Sequence, residues 1–454
     1  MIRWCLVLLL SGCAAVRSYD AELYQTLEHA SRGSVDDAIR LLESNNPLPD
    51  KDLLYYLELG MLQRLGGRYG ESQKSWTVAN ARIQGASAGG LVGGVSDLVR
   101  GFSSIVVNDK LRAYAGYDYE KVMLLTYMAL NYVSLGDFDS ARVAIKQAHE
   151  LEAQIAELRA KEYAEVEESA RERGAKTTFK ELNGYPVETI DNPEVNALRN
   201  GYQSALSHYL AGFIYEALGE PSLAAPGYRL ANELQPGQPL LEEALRGLDE
   251  RVAAPDDGMT DVLVVIGTGS APAVQSRQFL LPVFIDTRMV LIANAFPVIS
   301  PTAWTWTPAQ LTLAGDTLPV APIASVDLMA RRRLKDDMPG IMLRATIRST
   351  VGATLQYQAQ RASDREHTLA LALAAGLFTA GSALLASADD RTWRSLPSDL
   401  SIARARLPRG VQTLALQTPE GRRSITVTLS GRYAVLDLRL LRQQLFVNAP
   451  REAK

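Results

Sequence analysis

The stretch LTYMALNYVSLGDFDSARVAIKQA, residues 125–148, contains two amphipathic runs separated by Gly136 and Asp137. Each run repeats its apolar and small residues at helical spacing, and the glycine between them is typical of a tight turn. Small residues let two helices approach closely, while aromatic residues fill the wedge between them. The residues that serve these roles are Leu125, Ala129, Tyr132, Phe138, Ala141, Ile145 and Ala148. The stretch therefore predicts a helical hairpin.

The same pattern recurs around three other glycines. Gly33 and Gly67 lie 34 residues apart, which is the period of a tetratricopeptide helix-turn-helix. Matching positions around Gly67 are Tyr56, Leu59, Gly60, Tyr69, Trp76 and Ala79; those around Gly219 are Gly212, Tyr215, Ala224, Tyr228, Ala231 and Pro236. Around Gly33 only Ala38 and Leu42 fit. We therefore predict a tetratricopeptide-like α-solenoid of four repeats over residues 13–252, the first of them degenerate. A non-repeating helical bundle is the alternative.

The first thirteen residues have the composition expected of a targeting signal. Arg3 supplies a positive charge, Leu6 to Leu10 form an apolar run, and residues 10–13 read Leu-Ser-Gly-Cys. This pattern is similar to a bacterial lipoprotein signal peptide, with residues 1–12 removed and Cys13 acylated. Ala14 stands where lipoproteins retained in the inner membrane typically carry aspartate. The resemblance implies a protein anchored in outer-membrane lipid through Cys13, facing the periplasm. The alternative is a frayed apolar start.

Composition excludes several classes of function. A net charge of −4 provides no basic field for nucleic acid, so we expect no nucleic-acid partner. Cys5 and Cys13 are the two cysteines of the sequence, and the predicted processing leaves no thiol for a disulfide or a metal site. The four histidines show no HExxH-like spacing. We expect no metal and no cofactor.

Two insertions interrupt the predicted repeats. In the first, Gly85, Gly89 and Gly93 recur every four residues and would line one face of a helix, a pattern that mediates helix association. A tightly packed or flexible connector is the favoured interpretation, and membrane contact is the alternative. The second, His149 to Arg173, is a charged helix with a thin apolar stripe. We expect it to extend the third repeat, with a partner-binding coiled coil as the alternative.

The composition changes after residue 252. Residues 253–258 predict a linker that joins two independently folding halves, and short β-branched runs follow it. The predicted strands are Val262 to Ile266, Phe279 to Ile285, Met289 to Ile292, Val411 to Leu416, Ile425 to Leu429 and Tyr433 to Leu438, with turns at 286–287 and 419–421. We predict an immunoglobulin-like β-sandwich over residues 259–447, interrupted by a helical insertion at about 326–388 and followed by a tail, 448–454.

The inserted region contains two notable segments. Arg331, Arg332 and Arg333 predict a solvated helical face near two aspartates, with a phosphate or lipid-headgroup site as the alternative. Thr368 to Ala388 has no charged residue and places Ala372, Gly376 and Ala380 at four-residue spacing. We favour a buried packing helix for this segment. Its length also allows a helix in contact with the membrane, which we keep as the alternative.

Three segments make the chain similar to a family of poorly characterised Gram-negative tetratricopeptide lipoproteins. They are Tyr114 to Leu124; Leu130-Asn131-Tyr132 with Leu135-Gly136-Asp137; and RTWRSLP, residues 391–397. The resemblance covers nearly the whole chain and implies location and architecture, without an assigned activity. Residues 267–272, Gly-Thr-Gly-Ser-Ala-Pro, differ from the acidic and glycine-containing sequence that the family has at this position.

The expected function is a lipid-anchored scaffold or adaptor that binds envelope proteins in the groove of its helical repeats. The alternative is a membrane-active or homo-oligomeric envelope component that uses the two small-residue segments. We do not expect an enzyme. The string at Gly267 lacks the GK[ST] ending of a P-loop, and no GxSxG occurs there.

Overall fold

The structure is a computed structural model that describes residues 19–88, 113–285, 288–301, 306–308, 310–313, 315–366 and 388–450. Within these ranges a helical region comes first and a β-rich region follows, as predicted.

Four helical hairpins form the body of the helical region. Their helices are α1 (Tyr19–Ser31) with α2 (Val35–Asn45), α3 (Leu53–Leu65) with α4 (Tyr69–Ala88), α5 (Asp118–Ser134) with α6 (Phe138–Arg173), and α8 (Ala205–Ala217) with α9 (Pro221–Leu234). Between the third and fourth hairpins lie two short 3-10 helices, Phe179–Glu181 and Val187–Thr189, and α7 (Pro193–Ala197). The region ends with α10 (Pro239–Leu245) and α11 (Leu248–Ala253).

The four predicted turn glycines all adopt the left-handed backbone conformation. Their φ angles are +83° at Gly33, +68° at Gly67, +78° at Gly136 and +76° at Gly219. At each turn the glycine N–H donates to the carbonyl three residues back, and the next N–H donates to the carbonyl five residues back. This is the Schellman pattern of helix ends, which favours glycine because a side chain is strained there. The first helix of each of the four hairpins therefore ends with the same backbone conformation and hydrogen bonds.

Helices within a hairpin touch where the sequence placed small residues. A Cβ atom at position 212 would lie 2.6 Å from the ring of Tyr228, and one at position 60 would lie 2.2 Å from the indole of Trp76. Real Cβ atoms do not approach neighbours this closely. These glycines are therefore required for packing between the helices, as predicted.

We expect Gly212→Leu to lower the free energy of unfolding by at least about 1–3 kcal/mol, because the added side chain forces α8 away from α9. Urea denaturation followed by circular dichroism measures this loss. Gly70 lies in α4 with no described atom within 4 Å of a Cβ built there. The control Gly70→Leu should therefore be neutral or stabilising. Equal effects of the two substitutions would contradict the packing assignment.

The second predicted insertion is confirmed as an extension of the third hairpin. Helix α6 runs for 36 residues without interruption, from an N-cap at Asp137 to a left-handed Gly174. Ile155 is buried on this extension, whereas Leu158 is half exposed. Only part of the predicted apolar stripe is therefore buried.

Eleven strands lie in the described β-rich region. They are β1 (Met259–Thr268), β2 (Val274–Ile285), β3 (Arg288–Ile299), β4 (Gln310–Leu313), β5 (Asp316–Pro319), β6 (Ala321–Ser325), β7 (Asp399–Pro408), β8 (Gly410–Thr418), β9 (Gly421–Leu429), β10 (Tyr433–Leu441) and β11 (Gln444–Asn448). A five-stranded sheet has the order β11-β10-β1-β7-β6, and a four-stranded sheet has the order β5-β4-β8-β9. Strands β2 and β3 form a separate two-stranded ribbon.

All six predicted strands are confirmed, and the predicted turn at 419–421 joins β8 to β9. The other predicted turn, 286–287, lies outside the described residues. Strands β4, β5, β6, β7 and β11 were not predicted. The inserted helix α12 (Val326–Glu366) begins where predicted, and residues 367–387 of the predicted insertion lie outside the described part.

The molecule has three layers in which the five-stranded sheet is central. On one face of this sheet, Val262, Val264 and Leu436 pack against the four-stranded sheet. On the opposite face, Leu263 and Val435 join one continuous core with the helices. The two regions therefore share buried surface, and the independent folding of the two halves stays a prediction. Residues 254–258 connect regions that pack directly on each other.

Candidate functional site

The predicted site residues lie almost entirely outside the described part of the chain. This holds for Cys13, for Gly89 and Gly93, and for Ala372, Gly376 and Ala380. Gly85 is described: it lies near the end of α4, and no described atom lies within 4 Å of a Cβ built there. The predicted helix-association faces therefore stay predictions.

The side of the helical hairpins that faces the five-stranded sheet is covered by the chain itself. Helices α3, α5 and α8 are the first helices of the second, third and fourth hairpins, and they lie against the five-stranded sheet. We call their sheet-facing side the inner helical face. Phe213 of α8 packs edge-on against Tyr433 of β10, with ring centroids 5.6 Å apart. In this conformation the inner helical face binds an intramolecular partner.

A fully buried carboxylate on α3 holds the segment that precedes β7. Glu58, only 1% exposed, accepts hydrogen bonds from the backbone N–H groups of Arg394 (2.7 Å) and Ser395 (3.2 Å). Burial raises the pKa of Glu58 to about 7, although these hydrogen bonds and the charge of Arg394 oppose the shift. The carboxyl group thus titrates near neutral pH while it anchors the segment to the helices.

A second buried carboxylate, on α5, holds the same segment. Glu120 accepts from the backbone N–H of Trp393 (2.7 Å), the hydroxyl of Thr392 (3.1 Å) and the backbone N–H of Tyr117 (2.9 Å). The hydroxyl of Tyr114 also donates to it. Burial raises the pKa of Glu120, and the hydrogen bonds only partly offset this effect.

The tryptophan of this segment is buried in the core that the helices share with the sheet. Trp393 is completely buried, and its ring lies edge-on to Trp76 of α4 with centroids 6.0 Å apart. Its indole N–H donates to the hydroxyl of Ser395 at 3.0 Å. Residues 391–398 therefore bind to the inner helical face by backbone hydrogen bonds and one aromatic anchor. We call this arrangement the tryptophan clasp.

We expect Glu58→Gln to change how stability depends on pH. A carboxyl group with a folded pKa of about 7 and an unfolded value of 4.5 stabilises the fold most below pH 4.5. That contribution is lost as pH rises through 7, and amounts to roughly 3 kcal/mol. The measurement is urea denaturation between pH 4.5 and 8. The difference between wild type and Glu58→Gln should change by about that amount, whereas the exposed control Glu150→Gln should parallel wild type. Parallel curves for Glu58→Gln would contradict the assignment.

A buried ion pair joins the second hairpin to the sheet. Arg64 of α3 donates to Asp437 of β10 from Nη2 (2.8 Å) and Nε (3.1 Å), and to the side-chain oxygen of Asn131 (2.6 Å). Asn131 in turn donates to Ser72 at 2.9 Å. Both charged side chains are at least 95% buried. The pair therefore lies inside the interface rather than at its rim.

A third acidic contact joins the fourth hairpin to the sheet. Glu216 of α8 accepts from Arg404 of β7 (2.8 Å), Arg251 (2.9 Å) and the hydroxyl of Tyr228 (2.6 Å). Arg404 also bonds Asp261 of β1 at 2.7 Å. Burial raises the pKa of Glu216, but the contacts with Arg251 and Arg404 outweigh it and hold the pKa below its usual value.

Two histidines stack between the third and fourth hairpins. The rings of His149 and His208 are nearly parallel with centroids 4.6 Å apart, and Nε2 of His208 lies 2.9 Å from Glu152. Burial, and then the neighbouring His208, lower the pKa of His149 to about 4. His149 is therefore neutral at physiological pH, and its ring packs on the ring of His208.

The three consecutive arginines are not a solvated face, which corrects the sequence interpretation. Arg331 is buried and donates to Asp327 (2.7 Å) and to the carbonyls of Thr189 and Ser300. Arg332 pairs with Asp336 at 3.0 Å, and Arg333 pairs with Asp337 while its guanidinium lies 3.7 Å above the ring of Tyr117. These ion pairs and hydrogen bonds compensate the three charges and hold α12 against the helical region.

The glycine-containing string at residues 267–270 has a packing role. Gly267 pairs with Arg439 across β1 and β10, and a Cβ at position 267 would lie 3.3 Å from Cδ of Arg439 and 3.1 Å from Pro397. Gly269 has a φ of +66° at the end of β1. The glycines allow close approach and a turn here.

Cavities away from the clasp include two between packed elements. One, of ≈ 300 Å³, lies between α6 and α12 and is lined by Glu162, Tyr163, Asp336 and Asp337. Arg159 pairs with Glu162 (2.9 Å) and Asp337 (2.7 Å), so two of these charges are compensated. The other, of ≈ 650 Å³, lies between α2 and β11.

Among the described residues, no helix is long and apolar enough to cross a membrane. The same residues include no group of three or more His, Cys, Asp and Glu side chains that could hold a metal ion.

Sequence reasoning missed the buried roles of Glu58, Glu120 and Glu216, although a signal was present. Glu58 stands within Leu53–Leu65, between Leu57 and Leu59, and Glu216 follows Phe213-Ile214-Tyr215. A lone carboxylate surrounded by apolar residues on a helix predicts a buried acid with a specific partner. The position of that partner, up to 337 residues away, cannot be read from the helix itself.

Comparison with known proteins identifies no family. No protein-family profile matches the chain, and no curated protein matches it. A solved structure of a tetratricopeptide repeat protein from Parabacteroides merdae ATCC 43184 aligns with 51% of this chain and 99% of its own, at 15% identity and a TM-score of 0.14. A TM-score this low carries no argument about the fold or the function.

Proposed function

We propose that the protein is a lipid-anchored periplasmic scaffold that binds envelope proteins. The observation that supports this proposal most is the tryptophan clasp: buried backbone hydrogen bonds fix the helical hairpins to the sandwich. Such contacts favour a rigid frame, in which the helices and the sheets keep a fixed arrangement, over a protein whose regions move about a hinge. The finer assignments, tetratricopeptide-like repeats and an immunoglobulin-like sandwich, belong to the same proposal, and the repeated glycine turns support the first of them.

Partners of this scaffold would bind its outer surface, since the sheet occupies the inner helical face. The second helices of three hairpins each present an exposed aliphatic side chain: Val78 on α4, Val143 on α6 and Leu223 on α9. Exposed apolar side chains on neighbouring elements suit protein contacts. We assign envelope proteins to this outer surface.

The anchor is tested first. Cys13→Ser should remove lipidation and release the protein from the outer-membrane fraction, because Cys13 is the proposed acylation site. Cys5→Ser is the matched control and should leave lipidation intact. Mass spectrometry of the mature N-terminus with membrane fractionation measures both. An unmodified N-terminus in wild type would contradict the anchor.

The scaffold is tested with variants of the outer surface. Val143→Asp and Leu223→Asp should each reduce recovery of specific envelope proteins in cross-linked complexes by tenfold or more, without a change in melting temperature. Val411→Asp, exposed on β8, is the control. The same partners recovered with all variants would contradict this surface.

A membrane-active or oligomeric component is the second candidate, and the β2–β3 ribbon favours it. Leu281 of this ribbon packs in the core, while Leu280 beside it is 54% exposed. Full-length Cys13→Ser protein, which lacks the anchor, distinguishes the two functions. Binding to phosphatidylethanolamine and phosphatidylglycerol vesicles, or a stable oligomer in light scattering, would favour this candidate over the scaffold.

A further inference from the structure

Buried polar atoms without hydrogen-bond partners gather where the helices meet β10 and β11. Arg439 and Asp437 of β10 and Tyr127 of α5 interact electrostatically, Asn448 of β11 contacts Asp437, and Gln73 of α4 contacts Asn131 of the Arg64 network. The atoms that lack a partner among the described residues are Arg439 Nε, Tyr127 OH, Gln73 Nε2, Asp437 Oδ1 and Asn448 Oδ1. We call this group the Arg439 cluster. Buried polar atoms in folded proteins normally have hydrogen-bond partners, so these atoms are available to a small bound ligand or to water.

The cluster carries one positive charge without compensation. Arg439 is 2% exposed, and its observed partners are the carbonyl oxygens of Leu440 (3.0 Å) and Ser395 (3.2 Å). Asp437 already receives two hydrogen bonds from Arg64. Within the described ranges no carboxylate lies within salt-bridge distance of Arg439. Two guanidinium groups therefore share one nearby carboxylate.

The charge of Arg439 persists at neutral pH. Burial lowers its pKa to about 10, while Tyr127 and Asp437 oppose the shift. A buried guanidinium is stable when a counter-charge is close and its donors are used. Water can accept from Nε, but it cannot neutralise the charge.

We propose that the Arg439 cluster binds a small monovalent inorganic anion, of the size of chloride or bromide. Arg439 Nε and the Tyr127 hydroxyl are the donors without partners that an anion would accept from. Gly267 leaves the space across β1 that the Arg439 side chain needs. The acceptor atoms of Asp437 and Asn448 take water instead. This site is independent of the proposed scaffold function.

The test uses the full mature chain with bromide as the probe. Thermal unfolding in sodium bromide, compared with sodium gluconate at constant ionic strength, should show a saturable rise in melting temperature. Crystals soaked in sodium bromide should show an anomalous peak beside Arg439. Ordered water alone at this position, or bromide at the surface as an adventitious ion only, would overturn the proposal.

Three variants locate the effect. Arg439→Met should abolish the bromide-dependent rise, and Tyr127→Phe should raise the half-saturating bromide concentration about tenfold by removing one donor. Arg422→Met, exposed on β9, should respond like wild type. If Arg439→Met fails to fold, Tyr127→Phe decides alone. An unchanged bromide response in Tyr127→Phe would overturn the site.

Discussion

Trp393→Ala should lower the free energy of unfolding by about 3–5 kcal/mol, because it empties a fully enclosed site next to Trp76. The loss should affect the helices and the sheets together, since both contribute to the core around this side chain. Urea denaturation followed by far-ultraviolet circular dichroism and by tryptophan fluorescence measures it. The two signals should report one transition at a lower midpoint.

Trp306→Ala is the matched control for this prediction. Trp306 is only partly buried and packs against the separate core between the two sheets. Its removal should cost less than that of Trp393. A loss below about 1 kcal/mol for Trp393→Ala, or helical and sheet signals that separate, would show that the clasp does not couple the two regions.

Local sequence was sufficient for the hairpins because their determinants are local. A left-handed glycine, helical periodicity and a small residue opposite an aromatic ring all occur within about 34 residues. Gly212 and Tyr228 illustrate this: their spacing in one hairpin predicted the close contact that the structure has. The strands with clean alternation or dense β-branching were predicted for the same reason.

Long-range pairing explains most of what the sequence did not predict. Strand β1 pairs in parallel with β10, so Leu263 lies opposite Val435, and no short-range pattern encodes that partnership. Strand β7 was not predicted because it carries two charged residues, Arg404 and Arg406. In the structure Arg404 pairs with Asp261 and Arg406 pairs with Asp257. From sequence alone, charged residues indicate a solvent-exposed loop unless the residues that pair with them are known.

The candidate site was missed because its residues acquire a role only through contacts between regions. RTWRSLP, residues 391–397, stood out in the sequence, yet its binding to Glu58 and Glu120 required the helices and sheet to be placed together. The residues predicted from motifs, Cys13 and the small-residue faces, would act through lipid or partners instead. The proposed anchor and the observed contacts between helices and sheet therefore lie in separate parts of the chain.

The buried ion pair Arg64–Asp437 provides the strongest electrostatic prediction. Arg64→Met and Asp437→Leu should each lower the free energy of unfolding by about 3–5 kcal/mol, because each breaks the buried pair and leaves a charged group without its direct partner inside the interface. The double variant should lose much less than the sum of the two, since it removes both charges. A double-mutant cycle by urea denaturation at pH 7 measures this coupling.

The exposed pair Arg406–Asp257 is a matched control, because its N–O distance of 2.7 Å resembles the 2.8 Å of the buried pair. Solvent screens the exposed pair, so its cycle should give about 0–1 kcal/mol of coupling that falls with added salt. The coupling of Arg64 with Asp437 should be larger and insensitive to salt. Equal coupling in the two cycles would mean that water reaches the helix–sheet interface, and would contradict a rigid packing of the helices on the sheet.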